Sequence, residues 1–146
     1  MIRFAAAAAA LLLTAAPALA QSVDNKVVLT FETGARTGMV MVALYDTARA
    51  FNGEGTDADA NRAVARTTIS ASGRVVATFD NLPAGDYAVK AFHDVNGDGE
   101  MNTNPFGMPT EPYAFSNNAV GNMGPARWDR AHFAVSGETA QTISIR

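Results

Sequence analysis

After Gln21 most of the chain alternates apolar and polar residues with a period of two, the signature of half-buried strands. In 26–33 (KVVLTFET), Val27, Leu29 and Phe31 point one way, and Val28, Thr30 and Glu32 the other. Residues 34–38 (GARTG) form a turn. Residues 39–46 (MVMVALYD) are apolar on both faces, as in a central strand. A loop with one helical turn near Ala48 to Phe51 fills 47–62. Strands over 63–70 and 74–80 join around Ala71, Ser72 and Gly73, a hairpin-like spacing that puts Val75, Ala77 and Phe79 on one face. Pro83 and Gly85 mark a turn into a strand ending at Asp94, with Tyr87, Val89, Ala91 and His93 on one face. Periodicity then fails from Val95 to Pro125, a stretch far longer than the usual connection in a compact domain. Strands over 130–137 and 141–146 close the chain, with Phe133, Val135, Ile143 and Ile145 facing inward.

About seven short strands, little helix and Gly/Pro/Asn turns predict an all-β fold. The expected architecture is a single antiparallel β-sandwich, immunoglobulin-like or prealbumin-like, with one long loop. Its expected core includes Val27, Leu29, Phe31, Val75, Phe79, Val89, Phe133 and Ile143.

The N-terminus changes the picture of where this domain works. Arg3 precedes an apolar run from Phe4 to Leu13, and Pro17 leads into Ala18-Leu19-Ala20. This is the order of a secretory signal peptide over residues 1–20, with the mature domain over 21–146 in the periplasm or outside the cell. Thr14 and Pro17 interrupt the run short of the roughly 20 apolar residues of a membrane span. No second long apolar run exists, so no transmembrane span is expected in the mature chain. The 11 basic and 14 acidic residues give a net charge of −3, and loss of Arg3 makes it −4, which offers no basic patch for nucleic acid. The absence of cysteine excludes disulfides, thiolate catalysis, cysteine zinc sites and a thiol-linked lipid anchor.

The candidate chemistry sits in the unpatterned stretch. Residues 93–104 read HDVNGDGEMNTN, with Asp94, Asn96 and Asp98 at alternate positions before Gly99. Oxygen ligands at that spacing converge on one point of a tight turn, as in calcium loops. The Glu100 carbonyl and Asn102 add candidate ligands. The twelfth position, where a bidentate glutamate belongs, is Pro105, so Glu111 or the amides of Asn117 and Asn118 must complete the shell. The competing reading needs no metal: Asx side chains bond their own backbone and hold the loop. A third reading pairs the two histidines, His93 and His132, around zinc.

Two further readings concern the same loop. Residues 105–118 (PFGMPTEPYAFSNN) place Phe106, Met108, Tyr113 and Phe115 between prolines, either covering an open end of the sandwich or forming a recognition surface for a glycan or peptide. An envelope hydrolase using residues of the 93–118 loop is the alternative. Ser116 lacks the G-x-S-x-G context of a nucleophile elbow, and nothing in the sequence fixes the separation of Glu100 and Glu111.

From Phe79 onward the residues resemble a known family. The turn and strand LPAGDYA, the segment HDVNGDGEMNTN, the segment GMPTEPYAFSNN and the strand FAV occur in the order found in the bacterial domain of unknown function DUF2141. Met101-Asn102 stands where that family usually has Leu-Asp, and Ala114 where it usually has Gly. The first difference removes one carboxylate from the candidate metal loop. The resemblance implies an exported β-sandwich and supplies no reaction.

Overall fold

The computed structural model describes residues 24–34, 36–58 and 61–146; the expected leader and its cleavage site lie outside them. Eight strands follow in order: β1 (Asn25–Gly34), β2 (Met39–Tyr45), β3 (Ala65–Ser70), β4 (Gly73–Leu82), β5 (Gly85–Asp94), β6 (Tyr113–Phe115), β7 (Phe133–Val135) and β8 (Glu138–Ser144). Two short helices, α1 (Ala48–Asn52) and α2 (Trp128–Ala131), and a 3-10 turn over Ser116–Asn118 complete the fold. One sheet has the order β4-β1-β8. The other runs β3-β2-β5-β6, and β7 also pairs β5. The protein is an all-β sandwich. None of the described helices is long and apolar enough to cross a membrane.

Pairing is antiparallel except between β1 and β8, which run parallel from Lys26↔Glu138 to Glu32↔Ser144. The expected hairpin over 63–80 is corrected: β3 pairs β2, whereas β4 pairs β1 in the opposite sheet. Period-two alternation reports which face of a strand is buried, and both sheets bury a face against the same core, so the pattern cannot say which sheet a strand joins. The last two strands also shift. Residues 128–131 form α2, leaving β7 only three residues, and β8 begins at Glu138. The long stretch after Asp94 contains β6, which pairs β5 from Lys90↔Phe115 to Phe92↔Tyr113.

Val27, Leu29, Phe31, Val75, Phe79, Val89 and Ile143 are buried in one core between the sheets, and Phe133 packs half-buried at its margin. β5 is covered on both faces. Its inward residues Tyr87, Val89 and Ala91 join that core, while Ala88 on the other side belongs to a second cluster with Tyr45, Phe51, Phe115 and Ala131 under the two helices. The Phe51 ring meets those of Tyr45, Phe115 and Trp128 edge-on at 5.7, 6.1 and 6.0 Å. The Lys90 ammonium sits 5.2 Å from the Tyr45 ring centroid and 4.9 Å from that of Phe51. Burial there holds the amine below the usual lysine range. A strand packed on both sides is a stiff base, and the long loop grows from its C-terminal end.

Candidate functional site: the loop at the end of β5

The end of β5 is pinned before the loop begins. His93 is fully buried; its backbone N–H donates to the Pro112 carbonyl at 2.8 Å, and its Nε2 lies 2.9 Å from the Thr37 carbonyl oxygen. Its Nδ1 is buried with no hydrogen-bond partner. Gly38 has φ 120°, and a Cβ there would stand 2.3 Å from the Asp94 carbonyl oxygen, so only glycine lets the β1–β2 turn approach this closely.

Two carboxylates then frame the loop. Asp94, 1% exposed, accepts the backbone N–H of Gly97 on Oδ1 at 2.7 Å and that of Gly99 on Oδ2 at 2.8 Å. Both glycines have positive φ, 79° and 80°, which turns their amides back toward the strand end. Glu111, 9% exposed, accepts Val95 N–H on Oε1 at 2.8 Å and Asn102 N–H on Oε2 at 3.2 Å. It therefore ties the start and middle of the loop to its return. Asp98 lies on the outer side. Its Oδ1 accepts Glu100 N–H at 2.9 Å, and its Oδ2 accepts Nδ2 of Asn102 at 2.8 Å and of Asn96 at 3.0 Å. These bonds, that from Asn102 foremost, hold its carboxyl below the usual aspartate range. Asn96 Nδ2 also donates to Asn102 Oδ1 at 2.9 Å. The Asp98 and Asn102 side chains thus converge on the Asn96 amide group.

The tip is a smaller frame of the same kind. Asn104 Oδ1 accepts the N–H groups of Phe106 and Met108 at 2.9 and 3.0 Å, and its own N–H donates to the Met108 carbonyl at 2.8 Å. This hub presents Phe106, 89% exposed, and Met108, 62% exposed. Beside the loop's return lies a cleft of about 490 Å³, lined by Arg36, Pro109, Glu111, Pro112, Tyr113 and Arg146, among others.

The structure brings together Asp94, Asn96, Asp98, Glu100, Asn102 and Glu111 in one loop, but in roles that differ from the expected shell. Both oxygens of Asp94 and both of Glu111 already receive backbone N–H groups. Asn117 is corrected outright. It lies beyond Phe115, which pairs Lys90, and so sits on the order of 15 Å or more along the sheet from Asp94. Its Nδ2 donates to the carbonyls of Arg130 and His132 at 3.2 and 2.9 Å, and its N–H donates to Gln141 Oε1 at 2.7 Å. Asn118 likewise bonds Thr142 and Ser144. The zinc pairing is corrected by the same topology. His132 caps α2 just before Phe133, which pairs Tyr87 at the far end of β5 from His93. It stacks on Trp128 at 5.6 Å.

Ser116 is not placed to act as a nucleophile. It is fully buried, accepts Val89 N–H at 2.8 Å and donates to the Ala131 carbonyl at 2.6 Å. The covering role holds for Phe115, which is buried, but not for Phe106 or Met108. The sequence reading missed the two arginines of the cleft, which belong to segments far apart in the chain. It also missed Asn104 as a hub, although Asn followed by Pro is itself a turn signal.

No curated protein and no solved structure matches the chain. The family model described as an uncharacterized protein conserved in bacteria matches residues 32–144, from the end of β1 to the end of β8, and so takes in the sandwich and the framed loop together. The chain belongs to the DUF2141 family.

Proposed function

We propose that this protein is an exported binding module of the cell envelope, and that the 94–111 loop is its recognition element. The observation that carries this is the contrast between frame and surface. The loop's backbone is held by two buried carboxylates and the Asn104 hub, yet its tip turns Phe106 and Met108 outward. A large apolar side chain carried by an already ordered backbone spares the loop-ordering part of the cost when a partner covers it. Aromatic groups so placed are frequent centres of binding energy. Export rests on the leader-like order of Arg3, the apolar run and Ala18-Leu19-Ala20. The ligand classes suited to the loop are glycans and peptides. A panel of envelope glycans and peptides titrated into residues 21–146 tests this reading. At least one should bind with a micromolar to millimolar constant and lose about tenfold or more with Phe106→Ala. A panel without a binder, or binding indifferent to Phe106→Ala and Met108→Ser, contradicts it.

A second reading adds calcium. The Asn96 amide nitrogen donates to Asp98 Oδ2 and Asn102 Oδ1, a donor position that a cation would fill if the Asn96 side chain turned its oxygen inward. The Glu100 carbonyl and the outer lone pairs of Asp94 and Glu111 would then add oxygen ligands. The frame already closes through its own hydrogen bonds, so calcium in this reading reinforces the loop rather than creating it.

A further inference from the structure

We propose that the cleft between Arg36 and Arg146 binds a carboxylate-bearing glycan, a uronate-type sugar, so that the module reads acidic saccharides. This deepens the binding-module reading and rests on it. The cleft is of a size suited to a small ligand, about 490 Å³ against the usual range of roughly 300–1,000 Å³. Its two cations come from opposite parts of the chain, Arg36 from the β1–β2 turn and Arg146 from the end following β8. The ion pairs among the described residues are Lys26–Glu138, Arg74–Glu32 and Arg127–Glu54, and neither cleft arginine takes part. Glu111 lies in the same wall. Both its oxygens are engaged by the Val95 and Asn102 amides of the loop frame.

The pairing of Tyr113 and the side chains of the lining point to the ligand class. A peptide recognised by strand addition needs free backbone donors and acceptors. Here Tyr113 N–H and C=O both pair with Arg146, at 3.1 and 3.4 Å. The Pro112 carbonyl accepts His93 N–H, Thr110 N–H donates to the Asn102 carbonyl, and Val95 N–H is held by Glu111. Pro109 and Pro112 have no N–H to offer. The lining side chains offer two guanidinium forks, which match a carboxylate in bidentate fashion, and the faces of the proline rings and of Tyr113, 40% exposed. Flat apolar faces flanked by carboxylate-binding forks suit a charged sugar ring.

Isothermal titration of residues 21–146 with a galacturonate tetramer, a neutral galactose tetramer and tetraglutamate tests the proposal. The galacturonate tetramer should bind, and the other two at least tenfold more weakly. Arg36→Gln and Arg146→Gln should each weaken galacturonate about tenfold, Arg36→Lys should not restore it fully, and Arg66→Gln, an exposed change on β3, should leave it unchanged. Undetectable galacturonate binding, equal binding of the neutral sugar or of tetraglutamate, or indifference to both cleft substitutions overturns the proposal. Loss of binding with Phe106→Ala alone would overturn the cleft while leaving the loop reading standing. Circular dichroism of each variant distinguishes lost binding from lost fold; if both Gln variants unfold, the paired Lys variants carry the same comparison.

Discussion

The Glu111 carboxylate receives the backbone N–H of Val95 at 2.8 Å across a sequence separation of 16 residues. That bond closes the neck of the loop, and its sister to Asn102 N–H holds the middle. Hydrogen bonds to a charged, buried acceptor are stronger than neutral ones, and an amide left without its acceptor loses hydration it cannot recover. Glu111→Gln replaces one acceptor oxygen by an N–H₂ group facing an N–H. The expected cost is about 1–3 kcal/mol by urea denaturation, with the β-rich far-ultraviolet spectrum retained. A change below ~0.5 kcal/mol would show that the neck does not depend on this residue.

Gly38 tests the seat of the loop. Alanine there combines positive φ with a Cβ 2.3 Å from a backbone oxygen that belongs to β5 and cannot move freely. Gly38→Ala should destabilise by about 2 kcal/mol or more, by the same denaturation measurement. Gly34→Ala, where φ is 66° but nothing lies within 4 Å, should cost less.

The Asp98 pKa predicts a pH dependence. Its folded value lies below the ordinary aspartate value, so between the two the unfolded chain binds more protons and stability rises with pH. Its contribution is complete above the unfolded value of about 3.9 and lost as pH falls through the lowered folded value. Side-chain amide signals of Asn96 and Asn102, followed by NMR, should therefore shift with a midpoint below pH ~3.9. A midpoint above it would contradict the hydrogen-bond assignment.

Calcium has a graded expectation. A site with few free carboxylate oxygens should bind in the range of about 0.1–1 mM. At about 10 mM calcium, linkage then gives roughly 1.4–2.7 kcal/mol, a rise in melting temperature of about 3–10 °C for a domain of this size. Magnesium should do less, and Asp98→Ala should abolish the difference. Equal shifts with calcium, magnesium and sodium chloride would remove calcium from the account.

The sandwich was legible because burial leaves a period-two trace. Val27, Leu29 and Phe31 are fully buried as their alternation requires, and the inward face of β5 matches residue for residue. Sheet membership was not legible, since the partners of β3 and β4 are chosen by long-range packing. β6 is three residues long, too short for alternation to register. In the loop, the residue types were legible and their roles were not. An Asp or Glu that accepts backbone N–H groups has the same composition signature as one that awaits a cation. Asn117 shows the limit most plainly: it occurs just after the loop in sequence, yet β6 carries it toward α2 and β8.

Amide hydrogen exchange of metal-stripped protein addresses the central claim, that the 94–111 loop is ordered by its own carboxylates. In chelator, the amides of Val95, Gly97, Gly99 and Asn102 should exchange well below random-coil rates, and Glu111→Ala should release Val95 and Asn102 while β5 stays protected. Random-coil exchange at all four amides in the metal-free protein, with protection appearing only when calcium is added, would contradict it.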